Sequence, residues 1–188
     1  MLHFQAVVNM LPAGQQARRS MEDALDRADL VLAEGRDRVR DLRNSARGAA
    51  TLDHALQALG EQLAQGSPTH FSMDVQGTPA LLHPVVCDEA YRIGHEAIVN
   101  AFAHAAARHV AVDIDYGTAA FTLGIRDDGQ GIDPRYLTPE GRPDHWGLRG
   151  MEERAREAGG ALQISSQACQ GSEVRLTVKA ALAYRQQA

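Results

Sequence analysis

Between positions 15 and 44, apolar or small residues return at spacings of four and three: Met21, Leu25, Ala28, Leu32, Gly35, Val39 and Leu42, with charged residues filling the gaps. That period predicts a coiled-coil seam, although a single amphipathic helix packed on its own domain shows the same stripe. Upstream, residues 2–11 read as a shorter helix stopped by Leu11-Pro12-Ala13-Gly14. The first quarter of the chain is thus expected to form an α-helical hairpin with unequal arms. From Ser45 the composition shifts to Gly and Ala, and a second helical stretch over 52–65 stops at Gly66-Ser67-Pro68.

Beyond that point the period alternates between two and 3.6. A strand is predicted over 70–75, followed by a turn at Gly77-Thr78-Pro79 and a long helix over 86–107. Two strands over 110–116 and 120–127 are joined at Gly117, and a Gly- and Pro-rich loop runs from Gly129 to about Trp146. A helix over 148–158, a Gly159-Gly160 turn, a strand over 162–166, a turn at Gly171 and a last strand over 173–178 complete the pattern. Strands and helices in this proportion predict an α/β two-layer sandwich, a mixed sheet covered by helices, preceded by the helical segment.

Composition narrows the partners. With 44% apolar and 23% charged residues, the 188-residue chain is an ordinary globular sequence, long enough for one domain and a smaller appendage. A formal charge of −5 offers no basic excess for phosphate backbones, so nucleic acid is not an expected partner. No run of about 18 apolar residues is present, which leaves no membrane contact to expect from this stretch. Cys87 and Cys169 stand far apart without C-x-x-C spacing and are expected to be reduced thiols, a single spatial pairing being left open.

Four groups of residues carry candidate chemistry. On the long helix, Glu96, Asn100 and His104 recur every four residues and span an arc of about 80 degrees. The adjoining rows, Ala97-Ala101-Ala105 and Gly94-Ile98-Phe102, are small or apolar. A solvated surface stripe has this appearance, but Asn is a mediocre helix former whose side chain competes for backbone hydrogen bonds. A neutral Asn100 oxygen suits Mg²⁺, which takes few protein ligands and keeps waters and substrate phosphates; Glu96 is placed to orient a water or act as base, and His104 to meet phosphate.

The second group, Arg126-Asp127-Asp128-Gly129-Gln130-Gly131, follows a strand directly. Gly129 and Gly131 permit positive φ and close approach of a ligand, and Asp127 offers an acceptor to an exocyclic amine such as that of adenine. The third, Trp146-Gly147-Leu148-Arg149-Gly150-Met151, opens a helix whose exposed amides suit an anion, although Leu148 and Met151 also read as core anchors. The fourth, Gly171-Ser172-Glu173-Val174, is a hairpin turn.

Singly these signals are weak, but their order closely resembles the asparagine box and three glycine boxes of the Bergerat-fold family that unites gyrase, Hsp90, histidine kinases and mismatch-repair ATPases. The stretches His95–Ala105 and His145–Ala155 look most like sensor histidine kinases of the nitrate-sensor and fluidity-sensor type. The resemblance implies catalytic roles for Glu96, Asn100 and His104, with Asn100 holding Mg²⁺. It implies an ATP pocket formed by Asp127, Gly129, Gly131, Ile132, His145, Gly147, Leu148, Arg149, Gly150, Met151 and Ser172, closed by a lid over 133–146.

It further implies a division into a truncated helical dimerisation segment (1–47), a catalytic ATP-binding domain (48–182) and a tail (183–188). The expected activity is transfer of the ATP γ-phosphoryl group to a histidine and on to an aspartate of a response-regulator receiver domain. The full-length parent would act as a homodimer through its helices, on the cytoplasmic side. One departure stands out: the acceptor context resembling Glu-Leu-His-Asp is absent, and His3, followed by Phe4-Gln5-Ala6, is a poor acceptor. The fragment is therefore expected not to phosphorylate itself. Two other readings remain, a gyrase- or chaperone-type ATPase and a non-enzymatic pairing module, and measured ATP affinity separates the second of these from a kinase.

Overall fold

The computed structural model describes residues 51–133 and 146–185, with the backbone alone at Trp146. The predicted seam over 15–44, the short helix over 2–11, His3, His145 and nearly all of the predicted lid lie outside the described residues. Residues from Thr51 onward form one compact unit.

Helix α1 (Leu52–Ala64) buries Leu52, Leu56 and Gly60, a four-residue period that puts one narrow face inward. Strand β1 (His70–Gly77) follows after Gly66, whose φ of +79° lets the chain reverse. Helix α2 (Pro84–His104) begins earlier than its apolar pattern suggests because Pro84 occupies the first turn, where a missing N–H costs nothing. Its buried face is Val86, Glu89, Ala90, Ile93, Gly94, Ala97, Ile98 and Ala101. Small residues there let neighbours approach closely: a Cβ on Gly94 would sit 2.9 Å from the Leu56 Cδ2 of α1.

Strands β2 (His109–Tyr116) and β3 (Ala120–Asp127) follow, then helix α3 (Trp146–Glu157) and strands β4 (Ala161–Ser166) and β5 (Ser172–Lys179). The five strands lie in the order β1-β2-β3-β5-β4. β1 and β2 are parallel, and every other pair is antiparallel. A parallel pair demands a long crossover, which α2 supplies.

One face of the sheet is apolar: Val110, Val112 and Ile114 of β2, Phe121, Leu123 and Ile125 of β3, and Val174, Leu176 and Val178 of β5 are all buried and alternate along their strands. They form one core with Ile93 and Ile98 of α2 and Met151 and Ala155 of α3. The opposite face carries polar pairs such as Arg126–Asp113 at 2.6 Å. The predicted two-layer mixed sheet covered by helices is the observed fold.

A short helix, α4 (Ala180–Ala183), was not expected. It fastens the chain back onto the start of α2: the His83 N–H donates to the Ala183 carbonyl at 2.7 Å, and the Arg185 N–H to the Leu81 carbonyl at 2.9 Å. The Tyr184 hydroxyl donates to the Gly117 carbonyl at 2.9 Å. The tail boundary expected at 183 thus falls within packed structure, with Ala183 fully buried. Four residues of mostly alanine give too short a pattern to reveal their packing in advance.

Candidate functional site

The polar row of α2 and the start of α3 meet. The Asn100 Nδ2 donates to the Glu96 Oε1 at 3.1 Å, one helical turn apart. Both side chains are half-buried. A Cβ on Gly147, in the first turn of α3, would lie 2.5 Å from that same Glu96 oxygen and 3.7 Å from the Asn100 Nδ2. Glycine here lets the first turn of α3, whose leading backbone amides have no acceptor within the helix itself, come within contact of the carboxylate and amide of α2. Because Nδ2 is engaged with Glu96, the Asn100 carbonyl oxygen is the atom left to serve a hard cation. His104, the last residue of α2, is exposed, and its carbonyl accepts from the Gln130 Nε2 at 2.8 Å.

The loop after β3 is built around two aspartates with different work. Asp127 accepts the Gly129 N–H at 2.9 Å on one oxygen and the Ser172 hydroxyl on the other. An ionised carboxylate has about four acceptor positions, so capacity for a further donor remains. Asp128 faces the other way and accepts the Arg108 and His109 amides at 2.7 and 2.8 Å. The His109 amide, with the Arg108 amide beside it, holds this carboxyl below its ordinary value. Asp128 therefore pins the loop after β3 to the link between α2 and β2, while Asp127 turns toward Gly129 and Ser172.

The two glycines after Asp127 sit where the protein's own backbone is close. Gly129 lies on the end of α2: a Cβ there would collide with the Ala105 carbonyl oxygen and lie 2.8 Å from its carbon. Gly131, with φ +78°, packs on the turn between β4 and β5, where a Cβ would meet the Gln167 carbonyl oxygen at 2.5 Å. In both positions it is the protein's own backbone that approaches closely. Ser166, which sequence reasoning missed, joins this turn to the loop: its hydroxyl oxygen accepts the Ile132 N–H at 2.7 Å and donates to the Gly171 carbonyl at 3.1 Å. A serine at a strand end carries no distinguishing signal.

On α3, Gly150 has space around it among the described residues, the nearest contact for a Cβ being the Arg154 Nη1 at 3.9 Å. Arg149 is exposed and pairs with Glu153 at 3.3 Å. Leu148 packs partly against the core. Met151 is 1% exposed and belongs to the core. Its side chain is a core anchor, one of the two readings its sequence position offers.

The structure thus brings Glu96, Asn100 and Gly147 together at one point, and Asp127, Gly129, Gly131, Ile132 and Ser172 at another. Both lie around the C-terminal half of α2. A separate recess of about 520 Å³ near the start of α2, lined by residues including Val85, Ala158 and Leu182, contains none of them. Neither cysteine forms a disulfide. No helix among the described residues is long and apolar enough to cross a membrane.

Comparison with known proteins gives the family and the fold likeness. The family described as "Histidine kinase-, DNA gyrase B-, and HSP90-like ATPase" matches residues 87–182. Sensor histidine kinase YxjM of Bacillus subtilis is 30% identical over 167 residues, covering 86% of this chain and 39% of the relative. Sensor histidine kinase LiaS of the same organism is 28% identical over 127 residues, covering 68% and 34%. The chain therefore spans well under half the length of these relatives. The histidine kinase domain of the blue-light activated histidine kinase of Erythrobacter litoralis EL346 superposes with a TM-score of 0.57 at 15% identity, covering 93% of this chain and 92% of that one, a likeness of fold. With its family match spanning residues 87–182, across the α2 row, the β3 loop and the start of α3, this chain belongs to the histidine kinase-, DNA gyrase B- and HSP90-like ATPases.

Proposed function

We propose that this domain binds ATP with Mg²⁺ beside the C-terminal half of α2 and supplies the γ-phosphoryl group to a histidine outside this sequence, from which it passes to a receiver-domain aspartate. The observation that carries the reading is the approach of Gly147 to Glu96 and Asn100. It sets a carboxylate, a neutral oxygen donor and helix-start amides around one point, the set that phosphoryl transfer by positioning and charge neutralisation requires. Mg²⁺, when bound, neutralises phosphate charge. Asn100 would hold it, and Glu96, fixed by its hydrogen bond to Asn100, orients the attacking group or accepts its proton.

Asp127 is proposed to accept the adenine amine, oriented by Gly129 and Ser172, and His104 to meet phosphate oxygens. Gly147 and Gly150 leave the α3 amides open to phosphate, with Leu148 and Arg149 beside them and His145 on the approach to that helix. Gly131 and Ile132 are proposed to hold the base side of the pocket in shape. The proposed division of the chain is a helical pairing segment over 1–47, which would form the homodimer, and the catalytic domain after it. The site is proposed to work in the cytoplasm, opposite a response regulator.

Radiolabelled ATP tests the activity. With Mg²⁺ the chain alone is expected to bind ATP without acquiring stable, acid-labile label, and to label a supplied polypeptide carrying the acceptor-histidine helix of a sensor kinase. Label on His3 would overturn the assignment of the acceptor, and no transfer to any supplied acceptor helix despite tight ATP binding would favour a pairing or hydrolysing module. Asp127→Asn is expected to erode the preference for ATP over GTP by about 1–3 kcal/mol, the cost of a lost buried partner. Asn can present a donor to the guanine carbonyl where Asp cannot. Competition titration of the two nucleotides measures this, and equal selectivity in wild type and variant would remove Asp127 from base recognition.

A further inference from the structure

Glu89 is the one carboxylate buried on the core face of α2, at 6% exposure, and one of its oxygens makes no hydrogen bond among the described residues. Its neighbours at helical spacing, Val86 and Ile93, and the adjacent Ala90 are core residues. What faces it is charge. The Arg92 Nη1 lies 3.6 Å from its Oε1 on the same helix, and the Arg154 Nε of α3 lies 3.9 Å from its Oε2.

The position of this contact relative to the candidate site is regular. Glu89 and Glu96 are seven residues apart on α2, and Gly147 and Arg154 are seven apart on α3. Glu96 meets Gly147 while Glu89 meets Arg154, so the helices run antiparallel and touch at two rungs separated by about 10 Å on each. Between the rungs the packing is apolar, with Ile93 and Met151 both enclosed. Apolar contact is non-directional and does not by itself single out one register, whereas a buried ionic contact is made in one register only.

We infer that Glu89 is a positioning residue: with Arg154 it sets the register of α3 on α2 and so fixes how closely Gly147 approaches Glu96 and Asn100. The inference rests on the reading of those residues as the phosphate and metal site. Burial raises the Glu89 carboxyl above its ordinary value of 4.5, opposed by Arg92, reinforced by Asp88 and Glu157 and opposed again by Arg154. A raised carboxylate contributes most to folding below its ordinary value, and that contribution is lost as pH rises through the raised one. Near neutrality the charge on Glu89 is therefore a stability cost, and a residue kept at such a cost for its geometry separates function from stability.

The experiment compares wild type, Glu89→Gln and the charge-free pair Glu89→Leu/Arg154→Leu in the whole chain. Thermal unfolding at neutral pH, amide hydrogen exchange without nucleotide, and titration with a non-hydrolysable ATP analogue plus Mg²⁺ are measured on each. Both variants are expected to unfold at or above the wild-type temperature. They should exchange the amides of the first turn of α3 faster and bind the analogue with Mg²⁺ about 10- to 100-fold more weakly, the scale of losing a supporting contact behind a metal site. A merely structural role would lower unfolding temperature and affinity together, and that outcome overturns the inference. Unchanged exchange at 147–150 overturns it as well, whatever the affinity. Absence of analogue binding by the wild type would instead refute the site reading, and the exchange result would still decide the register.

Discussion

Gly171→Ala is expected to lower the unfolding temperature by more than about 10 °C and to abolish measurable ATP binding, corresponding to about 3–5 kcal/mol in a domain of this size. Two costs combine. Gly171 sits at φ +84°, where a side chain costs about 1–3 kcal/mol in backbone strain. Its Cβ would also fall on the Asp127 carbonyl oxygen and lie 2.7 Å from the carbonyl carbon. Neither atom is the mobile end of a side chain. Asp127 is paired with Ser172 across β3 and β5, so relief requires opening the end of the sheet that holds the Asp127 carboxylate.

Gly150→Ala is the matched control for stability alone, since Gly150 is itself proposed to keep the α3 amides open to phosphate. Its Cβ finds ordinary contact at 3.9 Å, and the helix exchanges a poor former for the best, a gain of about 0.5–1 kcal/mol. Calorimetric unfolding and analogue titration on both proteins check the pair. A Gly171→Ala protein with wild-type unfolding would show that the turn relaxes without disturbing β3, while Gly150→Ala with raised stability and reduced affinity would mark Gly150 as a phosphate-approach position.

Much of this fold was readable because its elements announce themselves by period. β2 alternates strictly, and α2 repeats its small and apolar residues at three and four over 21 residues. What escaped was set by contacts between elements. Nothing local distinguishes Asp127 from Asp128: one turns toward Ser172 and the other toward the Arg108 and His109 amides only because β2 and β3 pair there. The glycines were legible as requirements but not as reasons, since the backbone crowding Gly129 comes from Ala105, 24 residues earlier. Glu89 did leave a trace, a carboxylate at a core spacing between Val86 and Ile93, and its partner on α3 becomes visible only when the helices are seen to run antiparallel. Met151 was legible both as ligand contact and as core anchor, and its enclosure supports the anchor.

Asn100→Ala is expected to remove most of the Mg²⁺ dependence of nucleotide binding and to slow phosphoryl transfer to a supplied acceptor by about 100-fold or more, the usual scale for losing one preorganised polar group at a reacting centre. The substitution acts twice. It deletes the carbonyl oxygen proposed to hold Mg²⁺, and it releases Glu96 from the 3.1 Å hydrogen bond that orients it. Stability should not fall, because alanine is a better helix former than asparagine and the side chain is only half-buried. Asn100→Asp separates the two effects: it keeps an oxygen for the cation, loses the donor to Glu96 and sets two carboxylates one turn apart, which is unfavourable without the metal. The aspartate variant should therefore bind nucleotide more weakly than wild type without Mg²⁺ and regain part of the difference when Mg²⁺ is added, while the alanine variant regains nothing. Titration of an ATP analogue with and without Mg²⁺ on all three proteins measures both arms. If the folded alanine variant retains both wild-type affinities, Asn100 has no metal role, and the contact between α2 and the start of α3 must serve the phosphates through the backbone amides alone.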